Sequence, residues 1–205
     1  PPLRETGPAV EDCRAVRAGR GGVGRHGSTL GPGPGGRGRS RWRWHHGRMA
    51  TFTAHNRSEA VVPTGREEIW KVLTDPDLLA RLTPLLKSVT PHGDLWTWRL
   101  VRIPVLSTSI APQFTERMHF TEMESITFTH EPPAGSGERA GAEGHYELRE
   151  VAGGTHLVID LQLCVDLPLP RISSPAVSAV MSQVVVRMGD KFADNLYDHL
   201  GLPKP

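Results

Sequence analysis

Three proton-moving side chains fall at positions that strand alternation turns the same way: Glu116, His130 and Tyr146. Glu116 is in register with Phe114, Met118 and Phe120 at a period of two, which places a carboxylate on an apolar face. A carboxyl group there loses hydration, holds its proton more tightly, and can act as a general acid or base. The alternatives are a pocket-mouth residue paired with Arg99 or Arg117, or a bulge that shifts the register. His130 follows Ile126 and Phe128 at alternate spacing and ends its strand before Pro132-Pro133. A histidine at a cavity rim can shuttle protons near neutral pH; the plainer reading is a satisfied strand-end residue. Tyr146 shares a face with Ala142, Gly144 and Leu148, so small neighbours would leave room beside its hydroxyl. Ordinary packing with the hydroxyl bonded to backbone is the competing reading.

A second set could bind without reacting. Trp96, Trp98 and Leu100 form an inward set that could stack a flat ligand or simply fill the core. The expected cavity wall is Trp96, Trp98, Phe114, Met118 and Phe128 from the strands, with Met181, Val184 and Met188 from the closing helix. The ten histidines do not make a metal site by spacing, since no H-x-x-x-H or H-E-x-x-H occurs. Neither a G-x-S-x-G elbow nor a phosphate-cradling glycine loop on a strand–helix turn is present. No metal and no cofactor are expected.

The elements that must position these residues follow from periodicity. A strand runs from Thr51 to about Val62, where Pro63 stops it. Thr64 with Glu67 reads as a capping box for a short helix through Ile69, Trp70 and Leu73. Asp75-Pro76 opens a second helix carrying Leu78, Leu79, Leu82, Leu85 and Leu86, weakened at its end by Pro84. Strands are expected near 87–91, 94–102, 107–120, 124–131, 140–150 and 155–167, with Pro91-His92-Gly93-Asp94 and Gly153-Gly154 as hairpin turns. In the last strand the odd positions Leu157 to Val165 are apolar, and the even positions include His156, Asp160, Gln162 and Asp166. That split means one covered and one wet face. Ser174-Pro175 opens a long helix ended by Gly201, with Val177, Met181, Val184, Met188, Phe192 and Leu196 on one stripe. One striped helix and one sheet with an apolar face must pack on each other. The class is therefore α+β, a curved antiparallel sheet around a long C-terminal helix with two short helices after the first strand.

Charge divides the chain. Residues 1–48 carry ten Arg, no Lys and three acidic groups, about +7, which leaves about −5 on residues 49–205 of a chain whose net charge is +2. The basic pI belongs to that segment and is no nucleic-acid signature for the folded part. Residues 1–48, rich in Gly, Pro and Arg, are expected to be disordered. Arg39 to His46 interleaves cations and aromatics, which suits nucleic acid. Because Met49 begins the first domain-like pattern, translated upstream sequence or an overextended start is the favoured reading of the segment. The domain is taken as 49–205. Two cysteines without a disulfide framework fit a reducing cytoplasm, and no stretch is long and apolar enough to span a membrane.

The strand Ser58-Glu59-Ala60-Val61-Val62-Pro63, followed by Glu67-Glu68-Ile69-Trp70-Lys71-Val72-Leu73-Thr74-Asp75-Pro76, resembles bacterial members of the START-like (SRPBCC) superfamily of the polyketide cyclase/dehydrase type. The resemblance covers Thr51 to Leu200. It implies a helix-grip fold and a cavity for a hydrophobic or aromatic small molecule, lipid or polyketide-like. An aromatase/cyclase-type enzyme that moves protons with Glu116, His130 or Tyr146, or an adaptor that uses its surface, are the other activities it implies. No catalytic motif of one branch carries over residue by residue.

Overall fold

The computed structural model describes residues 50–105 and 108–204. The expected tail, residues 1–48, lies outside them. The strands are β1 (Ala50–Val62), β2 (Leu86–His92), β3 (Leu95–Leu100), β4 (Ile103–Val105), β5 (Thr108–Ile110), β6 (Gln113–Thr121), β7 (Ser125–His130), β8 (Ala140–Val151) and β9 (Gly154–Leu167). Two short helices, α1 (Arg66–Thr74) and α2 (Pro76–Leu82), follow β1, and the 27-residue α3 (Ser174–Leu200) closes the fold. Seven strands form one antiparallel sheet in the order β1-β9-β8-β7-β6-β3-β2, and β4 and β5 pair separately.

Local chemistry accounts for the breaks. Asp75 caps α2, its carboxylate accepting from the backbone N–H of Asp77 at 2.9 Å and Leu78 at 3.0 Å. The capping box expected at Thr64 does not form: α1 starts at Arg66 behind Gly65, without a side-chain cap. Thr64 instead offers its carbonyl to Thr155 Oγ1 at 2.8 Å, tying the end of β1 to the start of β9. Likewise Ser174 lies inside α3, after a 3₁₀ turn over Arg171–Ser173. The strand expected over 107–120 is split in two, β5 and β6. Pro112 sits at the break, buried, with its carbonyl accepting from Leu100 N at 2.9 Å. Gly201, in the left-handed region at φ 66°, ends α3, and Leu202 N returns to Tyr197 O at 2.9 Å.

The core lies between the inner sheet face and α3. Phe52, Ala54, Trp96, Trp98, Phe114 and Phe128 are among its buried strand residues, and Val177, Met181, Val185, Phe192 and Leu196 come from the helix. The helical stripe is rotated slightly from the expected one. Val185 takes the buried place, Val184 is half-buried, and Met188 is half-buried against the chamber described below. The last strand is covered on more than its odd positions, since Val158 and Cys164 are buried as well. Cys164 is not a free thiol in this structure. Among the described residues no helix is long and apolar enough to cross a membrane.

The register assigned to α3 is directly testable. Leu196, 2% exposed in the stripe, should cost about 2–5 kcal/mol of stability when changed to Ala. Asp190→Ala on the exposed face should stay within about 0.5 kcal/mol. Urea unfolding of both variants checks the pair, and equal losses would contradict the packing described.

Candidate functional site

Between the sheet and α3 lies a chamber of about 140 Å³. Its floor is apolar: Trp98, Phe114 and Phe128 from the strands, Ile159, Leu161 and Leu163 from β9. Leu79 and Leu86 close one side, and Val185, Met188, Gly189 and Phe192 form the helical roof. Asn56 and Ser58 on β1 and Thr83 after α2 add polar atoms, and the exposure of Ser58 marks that side as the rim. The volume is close to that of an apolar protein cavity which takes up one benzene ring, about 150 Å³.

Glu116 projects into this chamber. It is 2% exposed and lies in register with Trp96 on one neighbouring strand and His130 on the other. Neither arginine weighed as its partner reaches it. Arg117 is engaged elsewhere, forking onto Glu131 with two bonds of 2.6 Å and also bonding Asp94, and Arg99 Nε donates to Gln113 at 2.9 Å. Glu116 has no hydrogen bond or ion pair with a described residue. Burial alone therefore pushes its carboxyl well above the ordinary value of 4.5, and it holds a proton where a surface glutamate would not.

Tyr146 lines the same chamber, with its ring 5.3 Å from that of Phe128. Its hydroxyl has no hydrogen bond to a described residue, and burial first, then the Glu116 charge, pushes its pKa upward, so it holds its proton more tightly than a free tyrosine. The space at Gly144 is not left open to the chamber. A side-chain carbon there would sit 2.0 Å from the carbonyl oxygen of Asp160 and 3.0 Å from Phe128 Cζ, so the glycine lets the adjacent strand and the Phe128 ring close in.

His130 is not part of the lining. Its Nε2 is 3.1 Å from Glu138 Oε2, in a pair whose side chains are 5% and 4% exposed. The ring lies over Gly141, where a Cβ would come within 2.5 Å of Cγ and Nδ1. Glu138 also accepts from Thr115 N at 2.9 Å and Thr115 Oγ1 at 2.8 Å. The result is a buried anchor that fastens the loop after β7 to β6. His130 Nδ1 and Trp98 Nε1 are the two buried side-chain nitrogens left without a partner among the described residues.

Of the wall expected from the sequence, Trp98, Phe114, Phe128 and Met188 line the chamber. Trp96, Met118 and Met181 are buried in the surrounding core, with Trp96 6.2 Å from Trp98 between ring centres, and Val184 lies off the lining. Sequence reasoning missed the β1 rim at Asn56 and Ser58 and the roof at Gly189. A glycine in mid-helix on the inward side was the available signal for the second.

No protein-family model matches the sequence, and no curated protein matches it significantly. Solved structures do match. A START superfamily protein from Mycobacterium smegmatis aligns at a TM-score of 0.51 and 14% identity, over 71% of this chain and 95% of that one. The Zhui aromatase/cyclase from Streptomyces sp. R1128 aligns at 0.52 and 14%, over 72% and 93%. A protein from Thermus thermophilus aligns at 0.53 and 14%, over 71% and 98%. Likeness at such identity is likeness of fold. The chain has the START-like helix-grip fold, the scaffold that an aromatase/cyclase also uses.

The buried acid has a consequence for pH. The unfolded carboxyl ionises near 4.5, while the folded one keeps its proton to higher pH. Between those points the native state binds the extra proton, so rising pH erodes stability by about 1.4 kcal/mol per unit; below 4.5 both states are protonated and the effect vanishes. Glu116→Gln removes this dependence. Its melting temperature relative to the parent should therefore climb from pH 4 to pH 7, and a pH-independent difference would refute the assignment.

Proposed function

We propose that this chain binds a hydrophobic or aromatic small molecule in the chamber between the sheet and α3. The observation that carries this reading is a space of about 140 Å³, walled by aromatic and aliphatic side chains and containing one carboxyl group with no partner. An apolar chamber of that size accepts a ring-sized guest without reorganising the fold. A longer molecule has to extend past the rim at Asn56 and Ser58.

A second reading is favoured by Glu116 itself. A protonated acid facing an apolar chamber is the arrangement of a general acid, and catalysis on an aromatic or keto substrate would use it to protonate a carbonyl oxygen or leaving hydroxyl. Glu116→Gln would retain binding and lose turnover in that case, since the amide keeps the shape and gives up the proton donor.

Gly189 supplies the decisive test. A Cβ added there meets only Asn56 Nδ2, at 3.5 Å, an ordinary contact. A Cβ at this position therefore fits without a clash, Gly189→Leu should occupy the roof of the chamber, and replacing a mid-helix glycine should add about 1 kcal/mol to stability. The full chain should bind one-ring probes such as toluene and benzaldehyde by titration calorimetry, and Gly189→Leu should abolish that binding while its melting temperature holds or rises. Failure of every such probe to bind the parent chain would remove both cavity readings and favour a surface-acting adaptor.

A further inference from the structure

Resting on that cavity-binding reading, we infer that the ligand is an uncharged, ring-sized molecule carrying an oxygen that accepts hydrogen bonds, a ketone or aldehyde in the first instance, and that Glu116 with Trp98 recognises that oxygen. Two observations select this class. The first is the sign of the lining. No Lys, Arg or His contributes to the chamber wall, and Glu116 is its one ionisable carboxyl group. A carboxylate, sulfate or phosphate ligand would enter with no cation to meet it and would face Glu116 across an apolar space, where a bare charge is strongly penalised. A cationic ligand would need Glu116 ionised in the same apolar surroundings, with no second charged group in the lining to offset that cost. Neutral ligands avoid both costs.

The second observation is the unmet donor capacity. Trp98 Nε1 is buried and has no partner among the described residues. Glu116, when protonated, adds an O–H that also has none. Trp98 pairs with Phe114, and Glu116 stands two residues further along the same face of β6, so the two side chains are diagonal neighbours on adjacent strands. Diagonal neighbours of that kind lie about 7–8 Å apart at the backbone, within joint reach of one small group when the side chains are long. A pure hydrocarbon would leave both donors unsatisfied. A carbonyl oxygen satisfies at least one of them, and a buried donor left unpaired carries a penalty large enough to set a preference of about tenfold or more.

The experiment compares toluene, benzaldehyde and benzoate on the full chain at pH 7 by titration calorimetry. Alongside, the indole N–H resonances are followed in a nitrogen-15 spectrum, in which Trp98→Phe identifies the Trp98 signal. Benzaldehyde should bind at least about tenfold more tightly than toluene, benzoate should bind more weakly than either, and benzaldehyde should move the Trp98 signal. Glu116→Gln, which keeps a donor, should preserve the carbonyl preference; Glu116→Leu and Trp98→Phe should each reduce it while toluene affinity is held. Toluene matching benzaldehyde overturns the oxygen-recognition inference and leaves the cavity reading standing. Benzoate binding most tightly overturns the neutral-ligand inference in the same way. Binding by none of the three overturns this inference together with the reading on which it rests.

Discussion

Pairing of the first strand with the last governs this structure. All thirteen residues of β1 pair with β9, from Ala50 opposite Leu167 to Val62 opposite Thr155, yet the next strand in sequence, β2, lies at the opposite edge of the sheet. Laid flat, seven strands span about 29 Å. Yet the same chamber is lined from both edge strands, by Asn56 and Ser58 on β1 and Leu86 on β2, which a flat sheet would hold that far apart. The sheet is therefore curled, and a curled sheet has a concave side. One helix of 27 residues covers that concavity without filling it. The chamber is what strand order leaves over, and its lining is whatever the inner positions of the strands present.

Against that background Glu116 is an expensive residue. No described residue bonds or pairs with its side chain, and its neighbours across the strands are Trp96 and His130, of which the histidine is already committed to Glu138. Packing alone would be served by a leucine at this position. The carboxyl group survives by keeping its proton, which turns a charge into a weak polar group with one donor and open acceptor sites. The surrounding scaffold tolerates this because so much of it is held by other means: the long β1–β9 ladder, the Asp75 cap, and the Arg117 fork onto Glu131 and Asp94 on the far side of the sheet.

The architecture was legible because period-two and period-3.6 patterns are long in this chain. The inward set of β6, Phe114, Glu116 and Met118, could be read directly, since a nine-residue strand with one covered face leaves little freedom of register. Short elements were harder. The division of 107–120 into β5 and β6 depends on where Pro112 finds a partner for its carbonyl, a long-range matter that alternation cannot see. His130 shows the limit for site residues. Its parity agrees with that of Glu116, but its strand stops pairing with β8 at Phe128, and beyond that point the ring is free to turn toward Glu138 and lie on Gly141. Parity fixes a direction only while both neighbouring strands enforce it. The helix stripe drifted for a related reason, since Val184 and Val185 are equally apolar and the curvature of the sheet decides between them.

Gly189 makes the volume of the chamber a property of the helix rather than of the sheet. Every strand residue on the floor is locked by ladder pairing, so enlarging or shrinking it disturbs neighbours on both sides. The roof opens at a position whose missing side chain faces only Asn56 Nδ2 at 3.5 Å. Capacity can thus change by single substitutions on α3 while the β-framework keeps its register, which separates the evolution of what the protein can hold from the evolution of how it folds.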